Sequence, residues 1–301
     1  MLRFGIFTVA TFCAHMALAQ DVPLPAAVED YQQAQEEKFS KLLKGAEQTP
    51  LFAKTAAQAR AALPKGERVI VVNLPNQMLY ALEADGSVAE AIKIGIGKAE
   101  TPTPITKGKV TSIKYFPDWT ASPSIALERI DFRVTQGSAV VKDLSDGSIW
   151  RPDRRVEDLF IAVKQDETGS DTGEERQFST ADITGQRAAF YIPPSNTGPM
   201  GQLKFEISGT DGYYLHDTPD HSVFDGNDRL VSHGCVRVSD MPNLAAWING
   251  VDVNDISAKI EIEEMRYEAA RSVDVYFAYF LETDFEGSVQ SHSDVYGLMG
   301  E

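Results

Sequence analysis

Leu230-Val231-Ser232-His233-Gly234-Cys235-Val236-Arg237-Val238 alternates side chains around a single thiol. Read as an extended strand, it places His233, Cys235 and Arg237 on one face and turns Val236 and Val238 toward a core. Gly234 is the point where such a strand can bend. Upstream, Tyr213-Tyr214-Leu215-His216 reads as a second strand, with Tyr214 and His216 sharing a face and His216 emerging before Asp217-Thr218-Pro219. The loop 220–228, with Gly226, returns the chain. A thiol, two imidazoles, a glycine and a guanidinium therefore fall together on half-buried β-structure. A thiol is a poor nucleophile until a base or electropositive surroundings lower its pKa from about 8.5. His216 and His233 are the candidate bases.

Two other readings of these residues compete. A lone cysteine is often a small buried hydrophobe, but packing alone gives no reason for a neighbouring imidazole and glycine. Zinc ligation by His216, His221, His233 and Cys235 lacks the paired Cys or His clips that fix zinc geometry. Nucleophilic catalysis without a metal or cofactor is the reading that this pattern favours. His221 and His292 carry no signal beyond surface polarity. Gly234 and Cys235 are the natural backbone donors of an oxyanion hole. Arg237 suits either a carboxylate or an ion pair with Asp240. Tyr214, Ser232 and Trp119 are candidate cleft residues, although aromatics in such settings are more often core.

Outward from the motif the texture is β. Val69-Ile70-Val71-Val72-Asn73 is a β-branched run, Leu74-Pro75-Asn76 a turn, and residues 77–82 a second strand; Asp85-Gly86 leads to a third through Ile94. Further strands are predicted at 109–113, 188–192, 204–207 and 273–281. Sequential hairpins of this kind predict a mainly β, α+β fold: an antiparallel sandwich or open barrel. Between 134 and 187 the rhythm weakens, and the polar stretch 165–173 could not form a core strand. An insertion of this size predicts a cap, with its polar centre as a lid over the Cys235 cleft.

The ends and the charge bound the biology. Arg3, the apolar run 4–12 and Ala17-Leu18-Ala19 predict a cleavable signal peptide over 1–19, hence an exported, periplasmic protein with no stable membrane insertion after cleavage. Cys13 follows Phe12, a poor context for lipidation. Cys235 is then the only cysteine left, so no internal disulfide forms, and an unpaired thiol in an oxidising compartment is a candidate reactive group. Residues 20–66 read as an N-terminal helical segment, with Thr49 capping a second helix, and 67–301 as the catalytic domain. A net charge of −16 argues against nucleic acid and anionic lipid as partners.

At His216 and Ser232-His233-Gly234-Cys235-Val236-Arg237 the chain resembles the L,D-transpeptidase (YkuD-like) family of cell-wall enzymes. The family pattern is a histidine, about fifteen residues, then Ser/Thr-His-Gly-Cys, a hydrophobic residue and Asn or Arg. Residues 68–125, including Phe116-Pro117-Asp118-Trp119, and 198–205 and 215–219 resemble the larger Gram-negative branch with a capping insertion. The N-terminal part departs from the largest members, being too short for their extra scaffold and glycan-binding domains. The resemblance implies peptidoglycan stem peptides as donor and acceptor, in cell-wall remodelling and cell shape. Cys235 would be the nucleophile and His216 the proton donor and acceptor, oriented by the Asp217 carbonyl. His233 would support the site, and the Asp217 side chain would be incidental. A hydrolase of the same fold that trims peptidoglycan, and a non-catalytic wall-binding module, are the alternatives.

Overall fold

The computed structural model describes residues 26–128, 139–156, 159–195, 197–210 and 212–299. The expected signal peptide, and the start of the expected insertion at 134–138, lie outside these residues. The fold is mainly β.

The first half of the larger sheet comes from strands β1 (Phe52–Ala53), β2 (Val69–Asn73), β3 (Met78–Leu82), β4 (Val88–Gly97) and β5 (Thr106–Tyr115). A smaller sheet follows, built from β6 (Trp119–Thr120), β7 (Val140–Asp143), β8 (Ile149–Val156), β9 (Leu159–Gln165), β10 (Asp171–Ser179) and β11 (Ala188–Ile192). The chain then re-enters the larger sheet with β12 (Leu203–Ser208), β13 (Leu215–His216), β14 (Leu230–Ser232), β15 (Val236–Val238), β16 (Arg266–Ala269) and β17 (Asp274–Phe280). The helices are α1 (Ala26–Leu43), α2 (Ala56–Ala61), α3 (Pro123–Glu128), α4 (Thr180–Thr184), α5 (Met241–Asn249) and α6 (Val253–Ile260).

In the larger sheet the order β17-β2-β3-β4-β15-β13-β12-β5 closes on itself, because β5 also pairs β17. The expected sandwich or open barrel is thus a ring of paired strands. Nor is the ring wholly antiparallel: β17 runs parallel to β2, and β13 parallel to β15. The reason is connectivity. Each parallel pair joins strands distant in sequence: β2 and β17 lie at opposite ends of the domain, and β13 reaches β15 only after the loop and β14, which no tight hairpin could do. Ile70, Val72, Leu79, Phe205, Leu215, Val236 and Val238 fill the interior and pack with Met241, Leu244 and Ile248 of α5. Asp240 caps that helix through the Asn243 amide, and Gly250 ends it at φ 62°.

Three expectations change. The region 134–187, where the strand rhythm weakens, is largely regular structure among its described residues: the smaller sheet is fully antiparallel, in the order β10-β9-β8-β7-β11-β6. Its own core includes Val141, Trp150, Phe160, Phe178 and Phe190. Second, 188–192 belongs to this sheet and not to the larger one; Phe190 meets Phe160 edge-on at 5.6 Å. Third, the helix in the N-terminal segment is capped by Thr55, not Thr49, in a reciprocal box with Gln58. Phe52–Ala53, just before it, pairs with β17 and stacks Phe52 on Tyr279 at 5.6 Å.

Candidate active site

Register decides which side chains can meet. Leu215 stands opposite Val236 and Phe205, all fully buried in the core. The alternate residues therefore share the other face, where His216 stands between Lys204 of β12 and Arg237 of β15. Cys235 immediately precedes β15. The motif is not the continuous strand that alternation predicts: β14 pairs parallel to β4, while β15 pairs antiparallel to it, so the chain reverses at 233–235. Gly234 makes that reversal at φ 107°, and a Cβ there would lie 2.6 Å from Tyr213 Cε1. The nucleophile candidate thus projects from a turn.

Cys235 sits where two cavities meet. The smaller, about 130 Å³, is lined by His216, Ser232, His233, Arg237, Trp119 and Met200 among others. The larger, about 510 Å³, is bounded by Tyr213, Tyr214 and His233 on one side. Trp119, Pro123, Ile125, Ile183 and Ala189 of the smaller-sheet region form another wall, and Tyr31, Gln35 and Lys38 of α1 a third. The smaller-sheet region therefore walls the site through β6, α3, α4 and β11, and the expected insertion 134–187 contributes Leu144, Ile183 and Gln186. Its polar centre does not: 166–170 is the turn of the β9–β10 hairpin, and 165–173 contributes nothing to either lining.

His216 is buried, and its Nδ1 donates to the Asp217 carbonyl at 2.5 Å. That bond leaves Nε2 as the proton acceptor. Burial pushes the imidazole pKa down to about 3, aided by the Arg237 and Lys204 charges against the Asp217 hydrogen bond. Cys235 goes the other way. Burial raises it to about 11, opposed by a Tyr214 backbone hydrogen bond and by the Lys204 and Arg237 charges. At neutral pH both groups rest uncharged.

The remaining residues divide by task. The Asp217 side chain is engaged away from His216: Oδ2 accepts from Gln202 N at 2.9 Å, and Oδ1 lies 3.2 Å from His221 Nε2. Ser232 lines the smaller cavity, but its hydroxyl donates to the Cys235 carbonyl at 2.5 Å and accepts from Gly234 N at 3.1 Å. The Gly234 amide is thereby directed at Ser232, which leaves Cys235 N–H as the adjoining candidate donor. Arg237 lines the smaller cavity, and Asp240 is engaged with Asn243. Tyr214 and Trp119 are cavity walls, Trp119 of both.

Two residues escaped sequence reasoning. Lys204 holds Nζ 3.7 Å above the Tyr214 ring and 2.8 Å from Glu206, with its side chain 13% exposed. Arg229 is buried in a cage of carbonyls, with Nε to Ile94 O, Nη1 to Gly226 O and Nη2 to Gln77 O, each at 2.9 Å. It anchors the spacer between His216 and Ser232. Among the described residues, no group of three His, Cys, Asp or Glu side chains is placed to hold a metal ion, and no helix is long and apolar enough to cross a membrane.

Residues 67–262 match the YkuD family, the L,D-transpeptidase catalytic domain. A candidate L,D-transpeptidase of Haemophilus influenzae is 22% identical over 245 residues, covering 80% of this chain and 46% of that protein. The chain thus spans about half the length of this relative. Among solved structures, an L,D-transpeptidase from Mycobacterium smegmatis is 15% identical, covering 70% of this chain and 58% of its own, at TM-score 0.31. L,D-transpeptidase 3 from Mycobacterium tuberculosis, in complex with a faropenem-derived adduct, is 14% identical, covering 70% and 60%, at TM-score 0.32. The family match takes in more than half of the sequence, His216 and Cys235 included, and the chain belongs to the YkuD family of L,D-transpeptidase catalytic domains.

Proposed function

We propose that this protein acts on peptidoglycan stem peptides as an L,D-transpeptidase, through a thioester on Cys235. The observation that carries the reading is the free thiol at the junction of two cavities, beside a buried imidazole whose Nδ1 is fixed by the Asp217 carbonyl. Cys235 Sγ attacks the carbonyl that joins the L-centred third stem residue to the terminal D-alanine, and its proton passes to His216 Nε2. The tetrahedral intermediate collapses, His216 returns the proton to the departing D-alanine amine, and the thioester remains. An amine of a second stem then attacks, giving its proton to His216, and the thiol is regenerated as the crosslink forms. Each step balances without a metal or cofactor.

Two cavities that share one nucleophile suit two peptides better than one peptide and water, which favours transfer over trimming. The leader-like sequence 1–19 supports a periplasmic location, where such stems are found. The test is mass analysis of products from purified protein and disaccharide-tetrapeptides. Crosslinked dimers lacking one D-alanine are expected. Free tripeptide without dimers would assign the protein to the hydrolases, and no product from intact protein would leave only wall binding. A carbapenem supplies a simpler probe, since its strained amide offers the same electrophile; one adduct on Cys235 is expected.

A further inference from the structure

The loop 97–103, outside the motif, makes a closed set of contacts with the turn that carries Cys235. Gly97 begins it, and the chain folds back so tightly that a Cβ on Gly97 would lie 2.2 Å from Thr101 O and 2.7 Å from Thr103 N. Lys98 N and Thr101 Oγ1 both donate to the Ser232 carbonyl, at 3.0 and 3.2 Å. Thr103 is fully buried. Its hydroxyl accepts from Gly97 N at 2.9 Å and donates to the Gly234 carbonyl at 2.8 Å. A hydroxyl has one proton, so the Gly97 contact commits that proton to Gly234.

The C-terminal region holds this arrangement from behind. Tyr296 Oη donates to Gly97 O at 2.8 Å and accepts from Thr103 N at 3.2 Å. Tyr296 N in turn donates to Tyr279 Oη at 2.9 Å, and Tyr279 donates to Asp294. Tyr296 lies beyond the residues that match the family.

A trans peptide is planar, with its C=O and N–H antiparallel. Fixing the Gly234 carbonyl therefore fixes the direction of the Cys235 N–H. We propose that Thr103, braced by Tyr296, is a positioning residue that aims the Cys235 amide at the oxyanion of the acyl-transfer reaction. Ser232 contributes by taking the Gly234 amide, so the turn has one preferred peptide orientation. The inference rests on the acyl-transfer function proposed above. Thr103 touches no substrate; it acts through a peptide plane.

The experiment separates reactions with and without an oxyanion. Alkylation of Cys235 by iodoacetamide displaces iodide at a saturated carbon and needs no oxyanion hole, whereas acylation by a carbapenem passes through a tetrahedral oxyanion. Both rates are read by intact mass for wild type, Thr103→Val, Thr103→Ser and Tyr296→Phe. Valine keeps the volume and removes the donor. Acylation by Thr103→Val should fall about 10- to 100-fold, short of or near the loss of one oxyanion donor, with alkylation within about twofold of wild type. Thr103→Ser should restore most of the acylation rate. Tyr296→Phe retains Thr103 and the ring, and should show a smaller loss with the same selectivity; it serves as the readout should Thr103→Val not fold. Acylation unchanged in the variants, or both rates falling together, overturns the inference while leaving the proposed function standing. Wild-type protein that alkylates but never acylates overturns both.

Discussion

Replacing His216 by asparagine should abolish a loss of stability that the wild-type protein suffers in mild acid. The imidazole is 4% exposed, and burial holds its pKa near 3 in place of the ordinary 6.5. An unfolded chain recovers the ordinary value. Between pH 6.5 and 3 the unfolded state therefore binds a proton that the folded state refuses, so stability falls as pH drops through that window and is recovered above it. One proton of difference is worth about 1.4 kcal/mol per pH unit. Between pH 7.5 and 5, His216 should then cost the wild type about 2 kcal/mol. Carboxylates titrate in both proteins, so the informative quantity is the wild-type-minus-variant difference, from urea unfolding at pH 5.0, 6.0 and 7.5. Asparagine keeps a donor for the Asp217 carbonyl without a titrating ring. A difference that stays constant across the three pH values would refute the claim that the fold holds His216 neutral, and with it the availability of Nε2 as a base.

Gly234→Ala should reduce carbapenem acylation at least 100-fold, because the new Cβ must displace Tyr213 and the turn that carries the oxyanion amide. Gly287→Ala, at a similar φ of 86° but with nothing within 4 Å of the added atom, controls for backbone strain and should acylate at the wild-type rate. Lys204→Met should raise the thiol pKa of Cys235, read from the pH dependence of iodoacetamide labelling, and slow acylation about tenfold, the equivalent of about 1.4 kcal/mol; Lys204→Arg should retain most of the rate. An unmoved labelling profile in Lys204→Met would remove this cation from the site's electrostatics.

The parts of this molecule that were legible are those whose signal is local. Strands β2 and β17 are buried on both faces, so they read as unbroken runs such as Val69-Ile70-Val71-Val72 and Val275-Tyr276-Phe277-Ala278. His216 and Cys235 stand in a motif whose spacing survives in one dimension. The smaller sheet has no such run. Strand β10 is an edge, exposed from Asp171 to Gln177, and carries Glu174, Glu175 and Arg176 where a central strand would carry apolar residues. Strand β8 contains Pro152 next to a register shift. The cap on α2 was readable: Thr55 and Gln58 have capping-box spacing, but Thr49-Pro50 gave a competing signal. Lys204 and Arg229 gave none. Lys204 matters only because β12 pairs β13 in a register that sets it opposite His216. Arg229 matters because the distant carbonyls of Gln77 and Ile94 converge on it together with that of nearby Gly226.

Burial gives this site a specific kinetic character. Burial pushes the Cys235 pKa up, so the sulfur rests as a thiol at pH 7. Such a thiol is protected from oxidants, because oxidation, like attack, proceeds from the thiolate. The same protection removes the ready-made nucleophile. In the proposed reaction the proton must reach His216 as the carbon–sulfur bond forms, so charge separates only in the transition state. Groups that act on that charge then control the rate more than groups that bind the resting substrate. In that reaction the Cys235 amide acts on the oxyanion, while Lys204 and Arg237 act on the negative charge that sulfur takes on as its proton leaves. This accounts for a motif that places its cysteine on a turn. A strand would hold the sulfur equally well, but its amide would be committed to the ladder, whereas a turn fixed through Thr103 and Ser232 can direct that amide at the reacting carbonyl.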